Sequence, residues 1–247
     1  MKSQPTWTHP DTDLSGSTVV VVGGTGGVGE GVVEALLDRD ATVVATGRDT
    51  ARLHELRQRF GTDQLHVEVL DALDPDLESR VRDISAGHGR LDAVVVSVAS
   101  WGDQGRKPAL ALTDAEWDAL LAANLTSVFR LYRAFVPVLA AGGVLMQLNG
   151  MSAELPFPGN AGRALAGAAT KSLTLSLAEE LRTTGPTVYQ LVLGVIRTRP
   201  RLEQGLDDPR WIPAYDVGVH AAELIARTSP LTTPLQHFVD ASGPRAG

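Results

Sequence analysis

A run of four valines, Val19–Val22, leads directly into the segment Gly23-Gly24-Thr25-Gly26-Gly27-Val28-Gly29. A continuous β-branched run is typical of a strand that is buried on both faces of a sheet. The residues after the glycines have helical spacing, so the segment predicts a strand, a sharp turn and a helix. Glycines in such a turn let the backbone approach a ligand closely, and the N–H groups that open the helix attract a phosphate. The segment therefore predicts a phosphate-binding corner.

Predicted strands and helices alternate along the rest of the chain, which predicts a parallel sheet covered by helices on both faces. We therefore expect a Rossmann-type doubly wound α/β fold of about seven parallel strands. Residues 14–247 form one dinucleotide-binding domain in this interpretation, residues 1–13 a flexible N-terminal arm, and residues 197–213 a substrate loop or lid. The strands are expected at 19–22, 41–46, 65–70, 91–99, 144–148, 187–193 and 235–240, and the two long helices at 116–141 and 162–184.

Charge and composition narrow the classes of function. The formal net charge is −7, from 22 basic and 29 acidic residues, and no basic cluster offsets it, so nucleic acid is not an expected partner. The absence of cysteine excludes disulfides and thiol nucleophiles, and the six histidines lack the spacing of metal ligands. No apolar run is long enough to cross a membrane and no signal pattern is present, so we expect a cytoplasmic protein.

Four further segments carry a resemblance to a known family. Asp71 follows the third strand, and Asn124 lies in the helix after the fourth strand. Lys171 lies within the next long helix, and the segment Leu193-Gly194-Val195-Ile196-Arg197-Thr198 follows the sixth strand. Together with the glycine loop, these segments resemble the short-chain dehydrogenase/reductase family over most of the chain.

The resemblance implies an oxidoreductase that uses a nicotinamide dinucleotide. It assigns the catalytic roles to Ser152, Lys171 and Asn124, with Lys171 also holding the nicotinamide ribose and Asp71 contacting the adenine. It further implies a homodimer or homotetramer that assembles through the two long helices. The expected cofactor contacts are Gly23, Thr25, Gly26, Gly27, Val28, Gly29, Arg48, Asp71, Ala99, Lys171, Gly194, Ile196 and Thr198.

Arg48 indicates which dinucleotide is preferred. An NAD enzyme has an acidic residue at the end of the second strand to bind the ribose 2′-hydroxyl, whereas a guanidinium suits a 2′-phosphate. The sequence at that point is Thr46-Gly47-Arg48, which favours NADP. The neighbouring Asp49 leaves NAD as the less favoured alternative.

The chain departs from the family pattern at the catalytic tyrosine. In the family this tyrosine precedes the lysine by four residues, and the corresponding position before Lys171 is Gly167. Ser152 lies fifteen residues before Gly167, where the family has thirteen. Either the intervening loop is two residues longer, or Glu154 takes the place of the serine. The tyrosines of the chain are elsewhere, at Tyr132, Tyr189 and Tyr215.

Three functional interpretations stay open. The first is an NADP(H)-dependent oxidoreductase that acts on a small, largely apolar carbonyl or enone substrate with a proton donor other than tyrosine. The second is a non-redox enzyme of the same fold, such as a cyclase, dehydratase or isomerase, and the third is a non-catalytic dinucleotide-binding protein. We favour the first because the glycine loop and Lys171 are both present. The expected substrate contacts are Trp101, Glu154, Phe157, Leu193 and Trp211.

Overall fold

A parallel β-sheet forms the centre of the protein, which the computed structural model describes over residues 7–9, 11–100, 102 and 105–247. The strands described there are β1 (Thr18–Val22), β2 (Thr42–Gly47), β3 (Leu65–Val69), β4 (Leu91–Val96), β5 (Leu139–Gly150), β6 (Thr187–Leu193), β7 (Ile196–Arg197), β8 (Ile212–Pro213), β9 (Leu235–Phe238) and β10 (Arg245–Ala246). The main sheet has the order β10-β9-β6-β5-β4-β1-β2-β3, in which β10 is antiparallel and the other seven strands are parallel. This order confirms the predicted doubly wound fold.

Helices cover both faces of the sheet. They are α1 (Gly27–Leu37), α2 (Thr50–Phe60), α3 (Leu77–His88), α4 (Asp114–Leu121), α5 (Ser127–Phe135), α6 (Ala161–Leu181), α7 (Arg199–Glu203) and α8 (Ala214–Ala226). Side chains of α1, α2 and α8 pack in one hydrophobic cluster with Val19 and Val21, and those of α3, α5 and α6 pack in a second with Val20 and Val22. The strand β1 is therefore buried on both faces, as its uninterrupted valines predict.

The helix α1, which opens on the carboxyl end of the sheet, packs closely against α8. A Cβ on Gly31 would lie 2.4 Å from the carbonyl carbon of Ala214, and a Cβ on Gly218 would lie 2.7 Å from the Cα of Val32. Only glycine permits this approach of the two backbones. The contact sets the position of α1 and hence of the loop before it.

The predicted helix at 116–141 differs from the observed elements. The observed helix α4 begins at Asp114, after a capping box formed by Thr113 and Glu116. A π-helical turn at Ala122–Thr126 then joins α4 to α5. The helix ends at Phe135, because Pro137 in the following 3₁₀ turn has no N–H to donate. The strand β5 then begins five residues earlier than predicted.

Two segments that were predicted to be irregular have defined contacts. Residues 197–213 contain α7, and β7 pairs there with β8. In the N-terminal segment, the ring of Trp7 packs edge-on against Phe238, and the backbone N–H of His9 donates to Glu223 at 2.7 Å. The described part of the predicted arm thus lies against α8 and β9.

No helix in the described part of the chain combines the length and the apolar character needed to span a bilayer.

Candidate active site

A groove runs along the carboxyl ends of the parallel strands and crosses the point between β1 and β4 where the strand order reverses. It consists of a larger cavity of about 690 Å³ and a smaller cavity of about 390 Å³, which share Gly26, Ser97, Val98 and Ala99 as lining residues. Ligands of doubly wound sheets bind at this switch point. The groove is therefore the candidate active site.

The glycine loop forms the wall that the two cavities share. Gly23 has a φ of 80°, in the left-handed region, and a Cβ there would lie 2.3 Å from the carbonyl oxygen of Ser97. A Cβ on Gly29 would lie 2.2 Å from the carbonyl oxygen of Gly23. Side chains at these two positions would displace the backbone, so the tight turn depends on glycine.

The N-terminus of α1 opens on the groove without a side-chain cap. Its N-cap residue is Gly26, and Gly27 and Val28 in its first turn line the smaller cavity. The first N–H groups of a helix have no acceptor within it and carry the positive end of the helix dipole. These groups form a cradle for a pyrophosphate, so the residues present fit the dinucleotide that the glycine loop predicts.

Two arginines give the larger cavity a positive wall at the end of β2. Arg48 lines it as expected, and Arg52 lines it from the first turn of α2 while donating to the carbonyl oxygen of Thr25. The Asp49 carboxylate caps α2, accepting two backbone N–H groups at 2.9 and 3.2 Å. Arg52 was not predicted from the sequence, although its place in the helix after β2 was an available signal.

The predicted cofactor contacts are brought together along this groove. All of them except Gly29 and Lys171 line one of the two cavities. Gly29 lies behind the loop, where it packs on Gly23. Asp71 lines the larger cavity, and its carboxylate accepts the N–H of Leu73 at 2.9 Å.

Asn124 lines the smaller cavity, but its amide group is engaged with the backbone. Its Oδ1 accepts the N–H of Ser100 at 2.8 Å, and its Nδ2 donates to the carbonyl oxygens of Ser100 and Leu120 at 3.0 and 2.9 Å. Both N–H groups of the amide are used in these bonds. Asn124 therefore holds the loop after β4 against the π-helical turn, rather than presenting a donor to a ligand.

Lys171 lies away from the groove, contrary to the role that the resemblance implies for it. Its Nζ is 2.9 Å from Oε1 of Glu154, whose Oε2 is 2.8 Å from Nε2 of His237. Burial raises the pKa of Glu154, but the hydrogen bonds from Lys171 and His237 outweigh burial and hold the pKa below its ordinary value. Lys171 and Glu154 thus pair with each other outside both cavities.

The predicted substrate contacts are divided in the same way. Leu193 lines the smaller cavity, as does the predicted catalytic Ser152. Phe157 does not line the smaller cavity, and its ring centre lies 5.3 Å from the Arg106 guanidinium. Trp211 does not line it either, and its ring centre lies 5.2 Å from the Arg201 guanidinium. Trp101 falls outside the described residues.

The helix α6 presents Arg163, Gly167 and Thr170 to the smaller cavity. A Cβ on Gly167 would lie 3.0 Å from Oδ1 of Asn149 and 3.2 Å from the Cβ of Ala153, so the helix packs closely on the end of β5 there. These three residues share one face of α6, and Lys171 lies about one turn beyond Gly167, outside the cavity. Arg163 was not predicted from the sequence, because the spacing alone does not indicate which turn of α6 lies at the groove.

The three tyrosines all lie in the described part of the chain, and none of them lines either cavity. Tyr132 is buried, with its hydroxyl 2.9 Å from Oε1 of Gln147 and 2.8 Å from Oγ1 of Thr174, and burial raises its pKa. Tyr215 donates to Asp38 at 2.9 Å on the far side of α1. No phenol therefore reaches the groove.

The fold and the groove define a dinucleotide-binding protein of the doubly wound α/β class. The sequence profile of the short chain dehydrogenase family matches residues 17–207. The chain therefore belongs to that family, whose members are oxidoreductases that bind a nicotinamide dinucleotide.

Individual relatives agree with this membership. The 3-oxoacyl-(acyl-carrier-protein) reductase of Salmonella typhimurium is 27% identical over 188 residues, which cover 75% of each chain. An uncharacterized oxidoreductase of Staphylococcus epidermidis is also 27% identical, over 72% of this chain and 77% of its own.

A solved structure gives a similar result. The apo form of a short chain oxidoreductase of Pseudomonas aeruginosa, described as containing an atypical catalytic center, is 28% identical and superposes with a TM-score of 0.80. The match covers 94% of this chain and 98% of that one. The NADPH-bound form of that protein superposes with a TM-score of 0.79 at 27% identity, over 92% and 96% of the two chains.

Proposed function

We propose that this protein is an NADP(H)-dependent oxidoreductase that acts on a small carbonyl or enone substrate. The observation that carries the proposal is the continuous groove. The groove runs from the positive wall of Arg48 and Arg52, past the uncapped start of α1, to Arg163. The pyrophosphate lies on the glycine loop in this proposal, the adenosine half lies beside Asp71, and the nicotinamide half lies in the smaller cavity beside Gly194 and Thr198.

The preference for NADP rests on the end of β2. Arg48 and Arg52 line the larger cavity together, and guanidinium groups bind a 2′-phosphate through paired hydrogen bonds. The Asp49 carboxylate, which would suit a 2′-hydroxyl, is used to cap α2. The side chains at this wall therefore match the extra phosphate better than the free hydroxyl.

Binding measurements with Arg48→Ala test this preference. We expect calorimetric titration to give tighter binding of NADPH than of NADH to the parent. The variant is expected to lose roughly tenfold or more in NADPH affinity, with little change for NADH. Arg182→Ala removes an exposed arginine at the C-cap of α6 that pairs with Glu179, and serves as the control. Equal affinities of the parent for the two dinucleotides would contradict the assignment.

We further propose that the family's catalytic positions are occupied here by Gly150, Arg163 and Gly167. Arg163 lies thirteen residues after Gly150 and four before Gly167, which are the spacings that the family keeps between its serine, tyrosine and lysine. All three residues line the smaller cavity. This register replaces the one based on Lys171, and in it a guanidinium takes the place of the tyrosine hydroxyl.

A guanidinium at that position favours reduction of a conjugated C=C bond over reduction of a simple ketone. A bound nicotinamide cofactor supplies the hydride. Arg163 keeps its protons at neutral pH, so it stabilises a negative oxygen by hydrogen bonding instead of protonating it. An enolate oxygen is a much weaker base than an alkoxide, so this stabilisation suffices for an enone, and water can protonate the carbon. A ketone would still need an acid that the cavity lacks among its described lining residues.

Turnover with a panel of enones and ketones tests the reaction. We expect loss of NADPH absorbance with enones, little with the corresponding ketones, and a decrease in kcat of about 10²- to 10³-fold for Arg163→Gln. Lys171→Gln is the control, because Lys171 lies outside the groove. Tight binding of NADPH without turnover of any acceptor would exclude the oxidoreductase and favour the non-redox or non-catalytic interpretation.

A further inference from the structure

Two arginines from separate elements line the smaller cavity. Arg163 comes from the first turn of α6 and Arg201 from α7, within the segment predicted as the lid. Among the described residues that line this cavity, no side chain is acidic. These two side chains place positive charge in the described part of the lining.

The position of Arg201 is restricted by two contacts. Its guanidinium donates to the carbonyl oxygen of Ile196 and lies 5.2 Å from the ring centre of Trp211, which is consistent with a cation–π contact. A side chain held in this way loses less conformational freedom when it binds a ligand. Arg201 is therefore prepared to bind before a ligand arrives.

The two guanidinium groups repel each other at the cavity wall. Burial lowers the pKa of Arg163, and the charge of Arg201 lowers it further. Arg163 still keeps its charge at neutral pH, because a guanidinium does not lose its proton in this range. The contacts that hold Arg201 are with neutral groups, the carbonyl oxygen of Ile196 and the ring of Trp211. A negatively charged ligand therefore adds a charge-assisted hydrogen bond to Arg201 that a neutral ligand of the same shape does not.

We propose that the substrate of this site is an acid, with a carboxylate that binds Arg201 and Arg163 close to the reacting carbonyl. The inference rests on the proposed function, since it specifies the substrate of that same site. Arg201 is the main donor to the carboxylate in this proposal, and Arg163 lines the same cavity. Leu148 and Leu193 line the same cavity and suit an apolar body behind the charged end.

Paired acids and amides test the inference. The full-length protein, loaded with NADPH, is titrated calorimetrically with straight-chain carboxylates from acetate to decanoate and with the primary amide of each. We expect the acids that fit the cavity to bind roughly tenfold or more tightly than their amides, because charge-assisted hydrogen bonds are lost with the charge. Arg201→Gln should remove this difference and leave the affinity for the amides unchanged.

Arg210→Gln is the matched control, because Arg210 lies in the same lid segment but is exposed and pairs with Asp208. Equal binding of acids and amides by the parent, or binding of no acid in the panel, would overturn the inference without use of any variant. A preference for acids that persists in both Arg163→Gln and Arg201→Gln would also overturn it. NADPH binding is measured in the same samples, so failure of the proposed function is seen separately, as loss of cofactor binding or of hydride transfer.

Discussion

At the residue scale, Glu116 shows how one carboxylate organises the start of a helix. It accepts hydrogen bonds from Nζ of Lys107 at 2.7 Å and from the backbone N–H of Thr113 at 2.8 Å. The bond from Lys107, followed by that from Thr113, lowers the pKa of Glu116 from 4.5 to about 2. The charged carboxylate therefore stabilises the folded chain through contacts that the unfolded chain lacks.

Glu116→Gln is expected to lower the free energy of unfolding at neutral pH and to have no such effect in strong acid. Because the pKa is lower in the folded state, the unfolded chain binds the proton first as the pH falls. The contribution of Glu116 is complete above about pH 4.5 and is lost as the pH approaches 2. Urea unfolding of both proteins across this range measures the difference, with the exposed Glu179→Gln as control. A difference that does not vary with pH would contradict the prediction.

At the element scale, the packing of α1 on α8 determines where the glycine loop lies. We expect Gly218→Ala to destabilise the protein by about 1–3 kcal/mol, because its Cβ would lie 2.6 Å from the Cβ of Ala35. Gly87→Ala is the matched control in α3, where a new Cβ has no atom within 4 Å. That control should stabilise the protein by about 0.5–1 kcal/mol through helix propensity. Equal effects of the two substitutions, measured by urea unfolding, would disprove this account.

The lid element α7 is attached to α1 by an ion pair. Arg199 donates to both carboxylate oxygens of Glu30, at 2.8 and 3.0 Å, and Glu30 is largely buried. Burial raises the pKa of Glu30, but Arg199 and Arg59 together hold it below its ordinary value. The lid therefore rests on a charged contact with the helix that opens on the groove.

Glu30→Gln is expected to release α7 and to increase the rate of tryptic cleavage after Arg201 several-fold, since the segment becomes accessible more often. Glu203→Gln removes the weaker, exposed partner of Arg199 and should have a smaller effect. Mass spectrometry of the fragments over time measures both rates. The same rate for Glu30→Gln as for the parent would show that α7 is held by other contacts.

At the scale of the whole molecule, an apolar depression lies between α5 and α6. It is lined by Phe129, Pro137, Leu173 and Leu177, and Phe129 is 46% exposed. These helices are the ones through which the sequence resemblance implies a homodimer or homotetramer. We expect sedimentation to show an oligomer for the parent and a shift to the monomer for Phe129→Glu. Leu110→Glu, at a fully exposed leucine, should leave the oligomer intact, and a monomeric parent would contradict the prediction.

The alternation of strands and helices along the chain and the glycine corner followed from the sequence because their signals are local. The valines of β1 are adjacent in the chain, and the turn depends on contacts between Gly23 and Gly29, six residues apart. Arg48 and Asp71 were predictable for the same reason, since residues within two positions of the end of a parallel strand lie at the groove. The end of α5 was less predictable, because apolar residues continue past Pro137 in the sequence, whereas the helix ends at Phe135.

What the sequence by itself determined is the fold class and the dinucleotide corner, through strand propensity, glycine geometry and the position of residues at strand ends. Only the tertiary structure decided which side chain of α6 meets the groove. Lys171 and Arg163 lie two turns apart on one helix, and nothing in their spacing distinguishes them. The choice is made by packing, because Gly167 lies against Asn149 and Ala153 at the end of β5. This contact places Arg163, one turn before Gly167, at the cavity, and Lys171, one turn after it, beside Glu154.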